Sequence, residues 1–143
     1  LGYYRDPERT AAQHLGDWYN TGDVMQRDAD GYYWYLGRND DLFKSRGYLL
    51  SPQEIENAML RHPDVVEAAV IGQPDERMGN AVAAFVVVTA EALAGPELES
   101  ALIAHCQKLV APYKVPKTIT FLDMLPKSPV GKILRRTLRA DSK

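Results

Sequence analysis

Three stretches of this 143-residue chain concentrate side chains that can bind or donate rather than simply pack. They are Tyr19-Asn20-Thr21-Gly22-Asp23, the run from Gly37 to Glu56 that contains Arg38-Asn39-Asp40-Asp41 and Ser45-Arg46-Gly47-Tyr48, and Pro126-Lys127-Ser128-Pro129-Val130-Gly131-Lys132. They offer carboxylates with two acceptor oxygens, cationic donors, and glycines where the backbone must turn or be approached closely. On residue type alone each has an ordinary reading: a polar turn before a strand, an exposed loop leading into a helix, and a solvated basic face. Cys106 is single, so no intramolecular disulfide or multi-cysteine metal site can form, and its helical spacing with Leu98, Leu102 and Leu109 makes it core filler. His14, His62 and His105 show no paired ligand spacing, so no metal site made by this chain itself is expected.

The elements that must position these residues follow from turn and periodicity signals. Asp6-Pro7 caps and opens a short helix that is expected to end near Gly16. Asp28-Ala29-Asp30-Gly31 joins strands around Asp23–Arg27 and Tyr32–Leu36 into a hairpin. Two strands cannot bury both faces alone, so residues 1–38 read as the tail of a larger lobe. Arg38-Asn39-Asp40-Asp41 carries too many turn formers to lie inside a strand and reads as a joint. Residues 39–143 then read as a self-sufficient domain. Ser51-Pro52-Gln53-Glu54 predicts a capping box and a helix to about Arg61. The apolar runs Val65–Ile71 and Ala81–Val88 predict buried strands separated by a loop over Gln73–Gly79. A helix over Pro96–Val110, a strand over Thr118–Phe121 and a basic helix over Ile133–Arg139 complete the order. The fold class is therefore α+β, a small sheet flanked by helices and preceded by a β-hairpin remnant.

Bulk properties narrow the function classes. Hydrophobic residues make up 45% and charged residues 25%, as in an ordinary globular chain. A net charge of −2 and a pI near 5.9 give no global basic field for nucleic acid. The longest apolar run, Ala81–Val88, is too short to span a membrane, and no signal peptide precedes Tyr3, so a soluble cytoplasmic protein is expected.

Taken in order, the three stretches resemble the C-terminal end of the adenylate-forming enzymes, the superfamily of acyl-CoA synthetases, peptide-synthetase adenylation domains and luciferases. Gly16-Asp17-Trp18-Tyr19 and Ala111-Pro112-Tyr113-Lys114 are most similar to its benzoate-CoA ligase and medium-chain acyl-CoA synthetase branches. The resemblance implies that Asp23 receives both ribose hydroxyls of ATP, that Arg38 lies beside the same ribose, and that Tyr35 lines the adenine pocket. It implies a hinge at Asp40 and a coenzyme A channel along Ser45, Arg46, Gly47 and Tyr48. It makes Lys132 the catalytic lysine, carried on a mobile loop and bridging a substrate carboxylate oxygen and an ATP phosphate oxygen. Leu49 stands where medium-chain relatives often carry arginine, and Val130 where many relatives carry Ser or Thr.

The implied reaction is that of an ATP-dependent carboxylate-CoA ligase. Carboxylate and ATP give acyl-adenylate and pyrophosphate, and coenzyme A then gives the thioester and AMP. Mg2+ would accompany ATP, held by a preceding lobe, and the partners would be a small carboxylic acid, ATP, coenzyme A and that lobe, with no nucleic acid. The isolated chain is expected to be inactive. A stand-alone, non-catalytic binding domain of the same fold remains the alternative.

Overall fold

The computed structural model describes residues 2–140, which divide into two compact units, the first ending at Asp40 and the second beginning at Asp41. In the first unit, helix α1 spans Pro7–Gln13, with Asp6 accepting from the Arg9 backbone N–H as its cap. The helix stops short of Gly16 because the chain turns into a two-residue antiparallel pair, β1 (His14–Leu15) with β2 (Trp18–Tyr19), around Gly16 at φ 62°. Strands β3 (Asp23–Arg27) and β4 (Tyr33–Arg38) form the expected hairpin. Asp28 organises its turn: Oδ1 accepts from the Tyr32 backbone and Oδ2 from the Trp34 indole at 2.7 Å. Arg38 is the last residue of β4 rather than part of the joint, because it pairs across to Asp23.

The second unit begins with a hairpin that the sequence did not announce. β5 (Phe43–Ser45) and β6 (Tyr48–Leu50) are joined by Arg46-Gly47, both with positive φ (51° and 82°), the signature of a two-residue type I′ connection. Helix α2 (Pro52–Met59) follows, with Ser51 at the N-cap position and Pro52 in the first turn. The expected capping box is not formed. Ser51 makes no side-chain cap bond, and the Glu54 carboxylate instead takes Lys114 Nζ at 2.6 and 2.7 Å.

Strands β7 (Val65–Asp75) and β8 (Gly79–Val88) pair antiparallel along their whole length, and β9 (Thr118–Phe121) adds parallel to β8. The loop expected over Gln73–Gly79 shrinks to three residues, because pairing continues out to Asp75 and Gly79. Helix α3 (Pro96–Leu109) makes the crossover from β8 to β9, a 3-10 turn covers Pro112–Lys114, and α4 occupies Arg135–Ala140, two residues later than its expected start.

The apolar runs are continuous because both faces of the sheet are covered. On one face Ala68, Val70, Val82, Ala84 and Val86 pack with Ile55, Met59, Leu98, Leu102 and Cys106 from α2 and α3. On the other, Ala69, Ile71, Ala83 and Phe85 pack with Leu125 and Leu138. Leu102, Ile55 and Met59 are fully buried, each stabilising the fold by about 1.5–3 kcal/mol. His105 Nε2 donates to the Ala58 carbonyl at 3.1 Å and ties α3 to α2. Among the described residues no helix is long and apolar enough to cross a membrane.

Candidate functional site

In the first unit, strand register brings the nucleotide candidates together. Asp23 and Arg38 are direct cross-strand partners, so their side chains leave the same face, and Arg38 Nη1 donates to Asp23 Oδ1 at 3.1 Å. Tyr35 pairs with Met25, two residues from Asp23 and therefore on its face. Residues 35 and 38 of a regular strand would point to opposite sides. A register shift between Val24 and Met25, where the Cα register passes from Gly37 at φ 140° directly to Tyr35, absorbs one residue and returns Tyr35 and Arg38 to a common face. The bulge is therefore what assembles the trio.

Thr21-Gly22-Asp23 is shaped around the same guanidinium. Arg38 Nη1 donates to the Thr21 carbonyl at 2.8 Å, and a Cβ on Gly22 would meet Nη2 at 2.8 Å, so only glycine lets the side chain lie across this backbone. Arg38 Nε lies 3.6 Å from Asp40 Oδ1. The Asp23 hydrogen bond, with Asp40 and Tyr35 adding to it, raises the pKa of Arg38 above its usual value and keeps it charged. The Asp23 side chain is 28% exposed and that of Arg38 48%, so the acid is fixed yet reachable. A fixed, accessible carboxylate beside a cation and an exposed tyrosine fits a ribose with its adenine ring.

In the second unit, the β5–β6 turn borders a cleft of about 520 Å³ whose lining includes Ser45, Arg46, Met78, Gln107, Tyr113 and Lys117. Arg46 Nε donates to Met78 Sδ at 3.1 Å and its backbone N–H to the Met78 carbonyl at 3.0 Å. Tyr48 stacks on Tyr113 with ring centroids 4.3 Å apart. Of the four expected channel residues, Arg46, Gly47 and Tyr48 are exposed, whereas Ser45 is buried at the cleft floor. Gly47 is required by its left-handed turn conformation, and the space above its Cα is open. Lys117 Nζ pairs with Asp75 Oδ2 at 2.7 Å, while Asp75 Oδ1 accepts the Arg77 and Met78 backbone N–H groups. Led by the Lys117 bond, these contacts hold the Asp75 pKa below the ordinary carboxylate value. A concave, cation-bordered surface with a stacked aromatic pair suits an extended anionic ligand such as coenzyme A.

Lys132 directly follows the tip of a small hairpin arm. Lys127 and Ile133 form an antiparallel bridge, Leu134 N–H donates to the Pro126 carbonyl at 2.8 Å, and Ser128 N–H to the Lys132 carbonyl at 2.8 Å. Gly131, at φ 79°, closes the tip. Lys127 Nζ pairs with Glu67 and Arg135 with Asp41 and Glu56, but the Lys132 ammonium is exposed and has no partner among the described residues. Sequence reasoning missed the Arg135 cluster and the contributions of Met78, Gln107 and Lys117 to the cleft, which come from distant segments and carry no local signal. Among the described residues no group of three or more His, Cys, Asp or Glu side chains could hold a metal ion.

Comparison with known proteins identifies the family to which this fold belongs. The family described as AMP-binding enzyme C-terminal domain matches residues 54–132. The mitochondrial acyl-coenzyme A synthetase ACSM5 of Mus musculus is 47% identical over 139 residues, covering 96% of this chain and 24% of that protein. An uncharacterised acyl-CoA ligase, YtcI, of Bacillus subtilis is 43% identical over 137 residues, covering 96% of this chain and 26% of that protein. Among solved structures, the anthranilate CoA ligase AuaEII in complex with anthranoyl-AMP superposes with a TM-score of 0.91 at 40% identity, over 100% of this chain and 28% of that one. The chain thus spans about a quarter of the length of the relatives it matches.

Proposed function

Because the chain belongs to the family of AMP-binding enzyme C-terminal domains, we propose that it works as the mobile C-terminal lobe of an AMP-forming carboxylate-CoA ligase, with residues 1–38 the end of the preceding lobe and Asp40 the hinge. The observation that carries this reading is the exposed Lys132 ammonium, without a partner among the described residues on an otherwise well-bonded arm whose other lysine is engaged. When bound, ATP supplies the adenylyl group and coenzyme A the thiol. Asp23 accepts the ribose hydroxyls, with Arg38 fixing its carboxylate and Tyr35 beside the base. Lys132 donates to the substrate carboxylate and to a phosphate oxygen, where it stabilises charge that develops during adenylation. Arg46, Gly47 and Tyr48 then border the coenzyme A path, over the cleft floored by Ser45. The acid itself is bound by the larger lobe; the 40% identity to an anthranilate CoA ligase makes aromatic acids such as benzoate the first to assay, with medium-chain acids beside them.

The test is Lys132→Ala in the complete ligase. Adenylation, read by carboxylate-dependent pyrophosphate exchange, should fall about 100- to 1000-fold, as for loss of one charged stabiliser. Conversion of supplied acyl-adenylate to thioester should stay near wild type, as should the melting temperature. Unchanged adenylation, or equal loss in both half-reactions, removes Lys132 from the catalytic role.

A further inference from the structure

We propose that Arg135 is a positioning residue for Lys132: one largely shielded guanidinium clamps the base of the lysine arm to α2 and to Asp41, so that the arm and the residue following the hinge move as one body. The proposal rests on the function proposed above. Arg135 Nη2 donates to both carboxylate oxygens of Glu56 at 2.8 and 2.9 Å, and Nη1 to Asp41 Oδ2 at 3.1 Å. All three side chains are largely shielded, with relative exposures of 19% for Arg135, 9% for Glu56 and 26% for Asp41. Glu56 Oε1 also accepts the Val70 backbone N–H at 2.8 Å, which anchors the cluster to strand β7 in the centre of the domain.

Only Ile133 and Leu134 separate Arg135 from Lys132, and both are fixed. Ile133 is bridged to Lys127 and packs on the second core face, and Leu134 N–H is bonded to Pro126. A shift of Arg135 therefore passes to the lysine through a short, constrained link. The arm has other anchors, since Leu125 and Leu138 are buried against the sheet and Lys127 holds Glu67. Loss of the clamp should displace the arm rather than detach it.

The cluster also departs from what stability alone would select. Arg135 Nε is buried without a hydrogen-bond partner, and a buried ion cluster is often no more stable than apolar packing of the same volume. What two carboxylates on different segments gain from one planar fork is a fixed mutual geometry. Asp41 directly follows Asp40, so a rotation at the hinge carries α2 and the arm together.

The experiment is a double-mutant cycle in the complete ligase, with Arg135→Gln, Lys132→Ala and their combination, each assayed for adenylation and for thioester formation from supplied acyl-adenylate. Arg135→Gln should cost about a hundredfold in adenylation kcat, as misplacement of a catalytic group by an ångström can, with KM for ATP and thioester formation nearly unchanged. In the Lys132→Ala background the same substitution should cost nothing more. Because Arg135→Gln strands the buried Glu56 charge, Glu56→Gln/Arg135→Gln serves as the folded control: it should recover melting temperature but not adenylation. An undiminished further loss in the Lys132→Ala background, or recovery of adenylation together with melting temperature, overturns the proposal. If Lys132→Ala itself leaves adenylation intact, the functional reading fails instead, and the cycle separates the two results.

Discussion

The Lys127 ammonium lies 2.6 Å from Oε1 of Glu67, across the gap between the lysine arm and strand β7. Lys127 is thereby committed to holding the arm, while Lys132 on the other side of the same bridge keeps its charge available. The Lys127 side chain is 41% exposed and that of Glu67 33%, so Lys127→Ala should cost at most about 1 kcal/mol in denaturant unfolding. Adenylation should fall only a few-fold. A loss equal to that of Lys132→Ala would mean that the tail acts as a general basic field.

Asp40, the last residue of the first unit, is exposed and lies within reach of Arg38. Asp40→Pro in the complete ligase fixes φ at this position and restricts Asn39 as well. One half-reaction, measured separately from the other, should suffer much more than its counterpart. Parallel losses with a lowered melting temperature would indicate misfolding and discard the hinge.

Gly72 on β7 faces the Phe43 ring so closely that an added Cβ would stand 2.6 Å from Cγ and Cδ2. Phe43 is 8% exposed and cannot swing into solvent without leaving the core. Gly72→Ala should therefore destabilise the fold by about 1–3 kcal/mol through overpacking. Chemical denaturation of residues 41–140 is the direct measurement, and an unchanged midpoint would show that the β5–β6 hairpin can shift freely.

Asp75 should make the stability of the β7–β8 turn depend on pH. Its folded pKa lies below the unfolded value, chiefly because Lys117 donates to it and then because two backbone N–H groups do. The stabilisation is thus fully present above the ordinary carboxylate pKa and is lost as pH falls through the folded value. Unfolding midpoints followed between about pH 6 and pH 2 should fall more steeply for wild type than for Asp75→Asn. Identical slopes would mean that the hairpin turn does not depend on this charge.

Arg46 separates backbone from side-chain effects. Its φ of 51° costs a residue that carries a Cβ about 1–2 kcal/mol, so Arg46→Gly should leave stability equal or higher and, at the neighbouring positive-φ position, Gly47→Val should lower it. Arg46→Asn tolerates the same conformation while removing the guanidinium. If Arg46 meets coenzyme A, Arg46→Asn should raise KM for coenzyme A several-fold and spare pyrophosphate exchange. No change in that KM would make Arg46 a turn residue held by Met78 alone.

Long periodic signals survived intact from sequence to structure. The buried runs became β7 and β8, the α3 stripe of Leu98, Leu102 and Cys106 is buried, and Pro52 opens α2. Features decided by partners far along the chain did not show. Glu54 reads locally as half of a capping box, but Lys114 reaches it from sixty residues away and competes successfully for its carboxylate. Strands β5 and β6 are three residues each, too short for alternation to register, and Arg46 hides their turn because a positive φ is unusual for arginine. The Asp23–Arg38 pair was legible only by family resemblance, since the bulge that aligns Tyr35 with it has no periodic signature. Arg135 read as one more basic residue because its carboxylates lie 79 and 94 positions upstream.

The parallel seam between β8 and β9 has a consequence for how the domain opens. β7 and β8 exchange bonds across a three-residue turn and can zip locally, whereas β9 reaches the sheet only after the whole of α3 and rests there on four residue pairs. Closing that long loop is the slower, entropically dearer event in folding and the easier one to reverse. Amide hydrogens of Thr118–Phe121 should accordingly exchange by a subglobal opening that leaves the β7–β8 amides protected. Strand β9 is then the edge foldon of its own domain, able to leave and rejoin the sheet at a cost well below that of unfolding.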